Sequence, residues 1–233
     1  MTPVFLPGNM CDARLWTGAA RNVFPGAVDA DLGLDDSIAG MAERTLAATE
    51  GRLLPVGFSM GAIAAVEMWM QAPTRIAGLV LLGYNATADL PERAAHRPAQ
   101  QAEVRSGGLE RVLVEELKPN YLAAQQRGNL PLLDLLRDMG MALGADVFAA
   151  QSEALRLRGD RVAALSGITV PVLYGCGAED ALCPPAWHRR WQELTPDAAF
   201  ETFEGAGHML PLEAPDALAI TLSDWLNGKG LNP

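Results

Sequence analysis

Apolar residues along the chain follow two patterns in turn. Short, nearly continuous apolar runs at 3–6, 27–31, 52–58, 76–82, 170–175 and 199–203 predict strands, because an unbroken run suits a strand buried on both faces. Between them, apolar residues recur every three or four positions, the period of a helix face. In 38–48, Ile38, Met41, Ala42, Thr45 and Leu46 share one side, behind the N-cap candidates Asp35, Asp36 and Ser37. Further helices are predicted over 62–72, where Pro73 stops the run, over 185–194, and from Ala214 or Pro215 to about Leu226. Strands and helices alternating in this order predict an α/β fold with a mostly parallel sheet of about six strands flanked by helices.

The alternation fails once. Over 86–158 no strand-like run occurs, and the helical period marks 100–105, 109–117, 131–143 and 145–157, with breaks at Gly107-Gly108, Lys118-Pro119 and Gly128-Asn129. Helices inserted between two strands of one sheet predict a cap, 86–158, over a core made of 1–85 and 159–233. Leu132, Leu136, Met139 and Phe148 of this segment are expected to line a substrate pocket with an apolar portion.

Composition narrows the function classes. The 233 residues are 49% hydrophobic, enough for a sizeable core, and carry a net charge of −10, which argues against a nucleic-acid surface. No charged leader followed by an apolar stretch opens the chain, and no apolar run reaches the roughly 18 residues of a membrane span. Three cysteines, Cys11, Cys176 and Cys183, form no C-x-x-C pair, so a reducing, cytoplasmic setting without disulfides is expected. His96, His188 and His208 show no metal-ligand spacing, so neither metal nor cofactor is expected.

The candidate chemistry centres on Gly57-Phe58-Ser59-Met60-Gly61. A buried strand runs into this G-x-S-x-G and a helix leaves it, the context in which the serine sits at a strained apex with its hydroxyl clear of the sheet. The helix N-terminus then aims the Met60 N–H at a developing oxyanion. After the first strand, Pro7-Gly8-Asn9-Met10 is loop-forming, and Asn9, with Met10 as the alternative, is expected to offer a second backbone donor. A serine hydroxyl needs a base, and His208 follows the last strand in a glycine-flanked loop. Asp180 follows the preceding strand, at the same sheet edge, and is the candidate to hold the imidazole, with Glu179 its nearest competitor. His96 and His188 are expected to be solvated or structural, and Cys176 and Cys183 to be packing residues.

On these residues, with the Gly175-x-x-x-x-Asp180 loop, Gly205-Ala206-Gly207-His208 and Glu213-Ala214-Pro215, the chain resembles α/β-hydrolase-fold enzymes over essentially its whole length. It is similar to small bacterial members that include esterases, enol-lactonases and carbon–carbon-bond hydrolases. The resemblance implies Ser59 as nucleophile, His208 as base, Asp180 as its partner, and oxyanion donors at Met60 and the Asn9 loop. Pro7-Gly8 stands where the family usually has His-Gly, though backbone donors survive that change. The chain begins at the strand feeding this loop, so a sheet without the usual antiparallel edge is expected. Three functions fit: a cofactor-free serine hydrolase of small esters, thioesters or lactones; a carbon–carbon-bond hydrolase or lyase with the same triad; and a binding protein on the same fold. None of these requires a partner beyond a small molecule.

Overall fold

The computed structural model describes residues 1–16, 18–33, 35–117 and 121–231. Six parallel strands form one sheet in the order β2-β1-β3-β4-β5-β6: β1 Thr2–Leu6, β2 Val28–Asp29, β3 Leu53–Phe58, β4 Leu79–Leu82, β5 Val172–Gly177 and β6 Ala198–Phe203. The helices are α1 Gly18–Val23, α2 Ile38–Ala47, α3 Met60–Gln71, α4 Pro91–Glu103, α5 Leu109–Arg111, α6 Leu130–Leu157, α7 Pro185–Leu194, α8 Leu210–Glu213 and α9 Pro215–Lys229, with π-helical turns at Val104–Gly108 and Val112–Leu117.

Alternate strand residues explain the two-sided core. Val4, Leu6, Leu53, Leu79, Leu81, Val172 and Tyr174 pack in one cluster with Ile38 and Met41 of α2, Ala62 and Val66 of α3 and Trp191 of α7. Their neighbours Phe5, Leu54, Val56, Phe58, Val80, Leu82 and Leu173 pack on the other face with Leu218, Leu222 and Trp225 of α9. A strand buried on both faces must read as a continuous apolar run, which is why the pattern was legible. From β1 the chain returns on one side to β2, whereas β3 and all later strands add on the other. The carboxyl ends of β1 and β3 therefore diverge at a topological switch point, where open α/β sheets leave a crevice.

Four boundaries differ from expectation, each for a local reason. The predicted strand 27–31 shrinks to two exposed residues that pair only with Val4 and Phe5 of β1. The predicted strand 76–82 begins at Leu79, with Ile76 left as a single bridge to Leu53. β5 starts and ends two residues later than its apolar run, because Cys176 and Gly177 still pair with Thr202 and Phe203. The largest miss is α4, which begins nine residues before the predicted 100–105. Pro98 in its interior and the polar run around it hide a helix that α6 holds by packing. In α6 the chain kinks at Gly144 (φ 83°), where the apolar period had already divided two helices. The predicted break at Lys118-Pro119 lies outside the described residues.

Candidate active site

Ser59 stands between β3 and α3 with φ 53° and ψ −113°, a conformation costly for a residue with a side chain. The glycines around it are there for space. A Cβ on Gly61 would lie 2.0 Å from the Leu6 carbonyl oxygen, and one on Gly57 would lie 2.5 Å from the Gly61 carbonyl oxygen. Strand β1, the elbow and α3 thus touch backbone to backbone. The Met60 N–H, first in its helix, has no intrahelical acceptor.

The loops after β5 and β6 converge on Ser59. His208 Nε2 lies 3.1 Å from Ser59 Oγ, and His208 Nδ1 lies 2.8 Å from Asp180 Oδ2. Asp180 Oδ1 accepts the N–H groups of Leu182 and Cys183 at 2.9 and 2.8 Å, which fixes the carboxylate plane. Burial alone would raise the Asp180 carboxyl. The adjacent His208 ring and the hydrogen bonds from His208 and Cys183 outweigh it and hold the group below its usual value. Glu179 points elsewhere, accepting the Ala124 N–H at 2.8 Å. The two loops also meet at backbone contact: a Cβ on Gly177 would lie 2.2 Å from the Ala206 and Gly207 carbonyl oxygens.

At the β1 loop the structure separates Asn9 from Met10. The Met10 N–H donates to Gln151 Oε1 at 2.8 Å and is occupied, while the Asn9 N–H has no protein acceptor among the described residues. Gln151, 1% exposed on α6, also accepts from Asn9 Nδ2 at 3.1 Å and donates to the Leu32 carbonyl at 3.3 Å. A side chain more than 140 residues away thus anchors the loop that carries Pro7-Gly8, and no local signal marks it in the sequence.

A second tie runs from 121–124 to the histidine loop. The Tyr121 carbonyl accepts the His208 N–H at 2.7 Å, and the ring of Tyr121 stands edge-on to the His208 ring with centroids 5.7 Å apart. Glu213 accepts the N–H groups of Ala123 and Gly207 at 2.7 and 3.0 Å. Burial pushes its carboxyl up against those bonds.

The remaining candidates are structural or peripheral. His188 is fully buried: its Nε2 accepts the Tyr84 N–H at 2.9 Å, its Nδ1–H donates to the Pro184 carbonyl, and burial lowers its pKa to about 4. His96 is exposed beside Glu116. Burial pushes the Cys176 thiol up to about 12 and raises Cys183 as well, so neither is a thiolate. Among the described residues no cluster of three or more His, Cys, Asp or Glu side chains could hold a metal ion, and no helix is long and apolar enough to cross a membrane.

A cavity of about 260 Å³ opens over Ser59 and His208, and its lining corrects one expectation. Leu132, Leu136, Met139 and Phe148 do not line it. The first three belong to the same buried cluster as Cys11, Leu15 and Trp16, and Phe148 packs with Met10, Val104 and Leu113. The apolar residues of 86–158 glue its helices down, so the face left toward the cavity is polar. It carries Asp89, Arg93, Arg97, Gln100, Glu116 and Arg158 beside Ile63, Leu155 and Leu182.

Comparison with known proteins places the fold. The sequence pattern of the alpha/beta hydrolase family matches residues 4–221. BpoC of Mycobacterium tuberculosis is 25% identical over 207 residues, which are 80% of this chain and 76% of BpoC. A thermophilic esterase from Thermogutta terrifontis superposes with a TM-score of 0.88 at 23% identity, covering 98% of this chain and 90% of its own. The enol-lactonase of Burkholderia xenovorans gives 0.80 at 21% identity, covering 97% and 90%. These two structures share the fold.

Proposed function

The chain belongs to the alpha/beta hydrolase family, and we propose that within it the protein is a cofactor-free serine hydrolase cleaving a small ester, thioester or lactone. The observation that carries this reading is the unbroken hydrogen-bonded line Ser59 Oγ, His208 Nε2, His208 Nδ1 and Asp180 Oδ2, with the Met60 and Asn9 N–H groups on the Ser59 side without an acceptor among the described residues. In this mechanism Ser59 Oγ attacks the carbonyl carbon while His208 Nε2 takes its proton. Asp180, kept ionised by its surroundings, stabilises the imidazolium and fixes the tautomer. The N–H groups of Met60 and Asn9 receive the oxyanion, each worth about 3 kcal/mol in the transition state. His208 then protonates the leaving group, and water, deprotonated by the same ring, releases the acyl group from Ser59. Residues 86–158 act as the cap that closes over this chemistry and, through Gln151, hold the Asn9 donor in place.

Labelling with a fluorophosphonate followed by peptide mass spectrometry tests the reading. A single adduct on Ser59, absent from His208→Ala, is expected, and Ser59→Ala should lose turnover of a small-ester panel by about 10⁴-fold or more with its melting temperature kept. Folded protein that takes no label and hydrolyses no ester, or Ser59→Ala that retains turnover, overturns it.

A further inference from the structure

An acidic protein with three arginines in one small cavity calls for a reason. The chain carries a net charge of −10, yet Arg93, Arg97 and Arg158 all line the cavity over Ser59. The carboxylates nearby are engaged. Asp89, whose side chain is 1% exposed, receives Arg97 Nε at 2.6 Å and Arg158 Nη1 at 3.0 Å, one negative charge between two positive ones. Glu116 is held by Arg111 at 2.5 Å and by Gln100 at 2.7 Å. One unit of positive charge on the Arg97–Asp89–Arg158 group is therefore left over and Arg93 adds another, against the single negative charge of Glu116, whose partner Arg111 is shared with Glu103.

The hydrogen bonds show where that charge is available. Arg158 is largely used up, donating to the carbonyls of Thr87, Leu155 and Ala88 and lying in ion-pair contact with Asp89. Arg97 is different. Its Nε is tied to Asp89, but neither terminal nitrogen has a partner among the described residues, although the side chain is only 16% exposed. A structural clamp would present both prongs of the guanidinium to Asp89. Here the carboxylate grips the stem side, and the four terminal N–H groups are left without a protein partner among the described residues, open to the cavity and free to receive an anion. Arg93 stands one helical turn before Arg97 on α4, exposed and likewise without a partner among the described residues.

We propose that this cavity recognises a carboxylate: the substrate is an ester, thioester or lactone that bears a second, ionised carboxyl group, received by the terminal fork of Arg97 with Arg93 assisting. Asp89 and Arg158 serve to position Arg97. The inference rests on the serine-hydrolase reading for what happens at Ser59, but recognition of the carboxylate does not require turnover. A planar guanidinium matches a carboxylate with two parallel hydrogen bonds, and a cavity of about 260 Å³ admits only a small acid.

Two measurements test this. Hydrolysis of the monomethyl esters of glutaric, adipic and pimelic acid is compared by pH-stat with that of the corresponding dimethyl esters. Binding of glutarate, adipate and pimelate to Ser59→Ala is measured by calorimetry, with inorganic phosphate as the competing anion. At least one monoester should exceed its dimethyl ester in kcat/KM by tenfold or more at low salt, a preference that shrinks as salt screens the charges. Arg97→Gln should cut that ratio about tenfold and weaken dicarboxylate binding to match. Arg93→Gln, at an exposed position with no partner among the described residues, should cut it about threefold and keeps the test open if Arg97→Gln fails to fold. Dicarboxylate binding that depends on Arg97, without hydrolysis of any ester, would uphold the carboxylate site and sink the hydrolase reading. Hydrolysis of dimethyl esters with no monoester preference and no dicarboxylate binding would do the reverse. Neither hydrolysis nor binding, or phosphate bound more tightly than every dicarboxylate, overturns the proposal.

Discussion

Two regions meet over Ser59 and are built on opposite principles. The sheet edge, where the loops after β1, β3, β5 and β6 converge, is held by backbone against backbone: Gly61 against Leu6, Gly57 against Ala62, Gly177 against Ala206. The wall supplied by 86–158 is held by exchangeable side chains: Arg97 and Arg158 on Asp89, Arg111 on Glu103 and Glu116, Arg156 on Glu153. Backbone contacts admit no substitution, so the edge can carry reacting atoms to within a fraction of an ångström. Side-chain pairs can be replaced one at a time, so the wall can change what it recognises without moving the chemistry. Buried Gln151 and half-buried Glu213 join the two by side chain to backbone, and the Tyr121 carbonyl joins them through the backbone by accepting the His208 N–H.

The widest separation between the regions is expected from Asp180→Asn. The amide still accepts the Leu182 and Cys183 N–H groups, so the fold survives, but the His208 tautomer is lost. Ester turnover should fall by about 10³- to 10⁴-fold while the unfolding midpoint moves little. An unchanged rate would remove Asp180 from the proposed mechanism. Next comes Gly61→Ala. Its new methyl would lie 2.0 Å from the Leu6 carbonyl oxygen, with no flexible side chain to give way. A loss of about 4 kcal/mol or more by urea titration is expected, or failure to accumulate folded protein. A well-folded, fully stable variant would mean that the edge is less rigid than its contacts imply.

Acid should act on the sheet side through His188, which is buried and neutral. Its folded pKa of about 4 lies below the unfolded value of about 6.5, so the unfolded chain binds the extra proton. Stability from this group is complete above pH 6.5 and declines by about 1.4 kcal/mol per unit as pH falls toward 4, roughly 3 kcal/mol in all. Urea midpoints flat between pH 7 and 5 would contradict it.

Gln151→Leu tests the joint itself. Leaving the Met10 N–H and the Asn9 amide without their acceptor should cost about 2 kcal/mol of stability. The loosened loop should reduce kcat about tenfold, with less effect on KM. Equal losses in kcat and stability-matched controls would reduce Gln151 to a packing residue. The smallest effect belongs to the outer wall, where Arg156→Ala removes a solvated pair with Glu153 and should leave the melting temperature unchanged within error.

The same contrast explains what was legible in the chain. Strands buried on both faces must be apolar throughout, and a nucleophile elbow must carry glycines where strand and helix nearly touch. Local sequence therefore determined the parallel sheet, the elbow at Ser59, the loop order that brings Asp180 and His208 to it, and even the break at Gly144. Where strand residues stay exposed, as in β2, or polar residues face a cavity, as in α4, local pattern carried no information. Only the tertiary structure decided that Gln151 occupies the Met10 N–H and leaves Asn9 open, that Leu132, Leu136, Met139 and Phe148 pack away from the cavity, and that Arg93, Arg97 and Arg158 line it. Those outcomes depend on contacts between residues far apart in the chain, and such contacts have no period and no spacing to read.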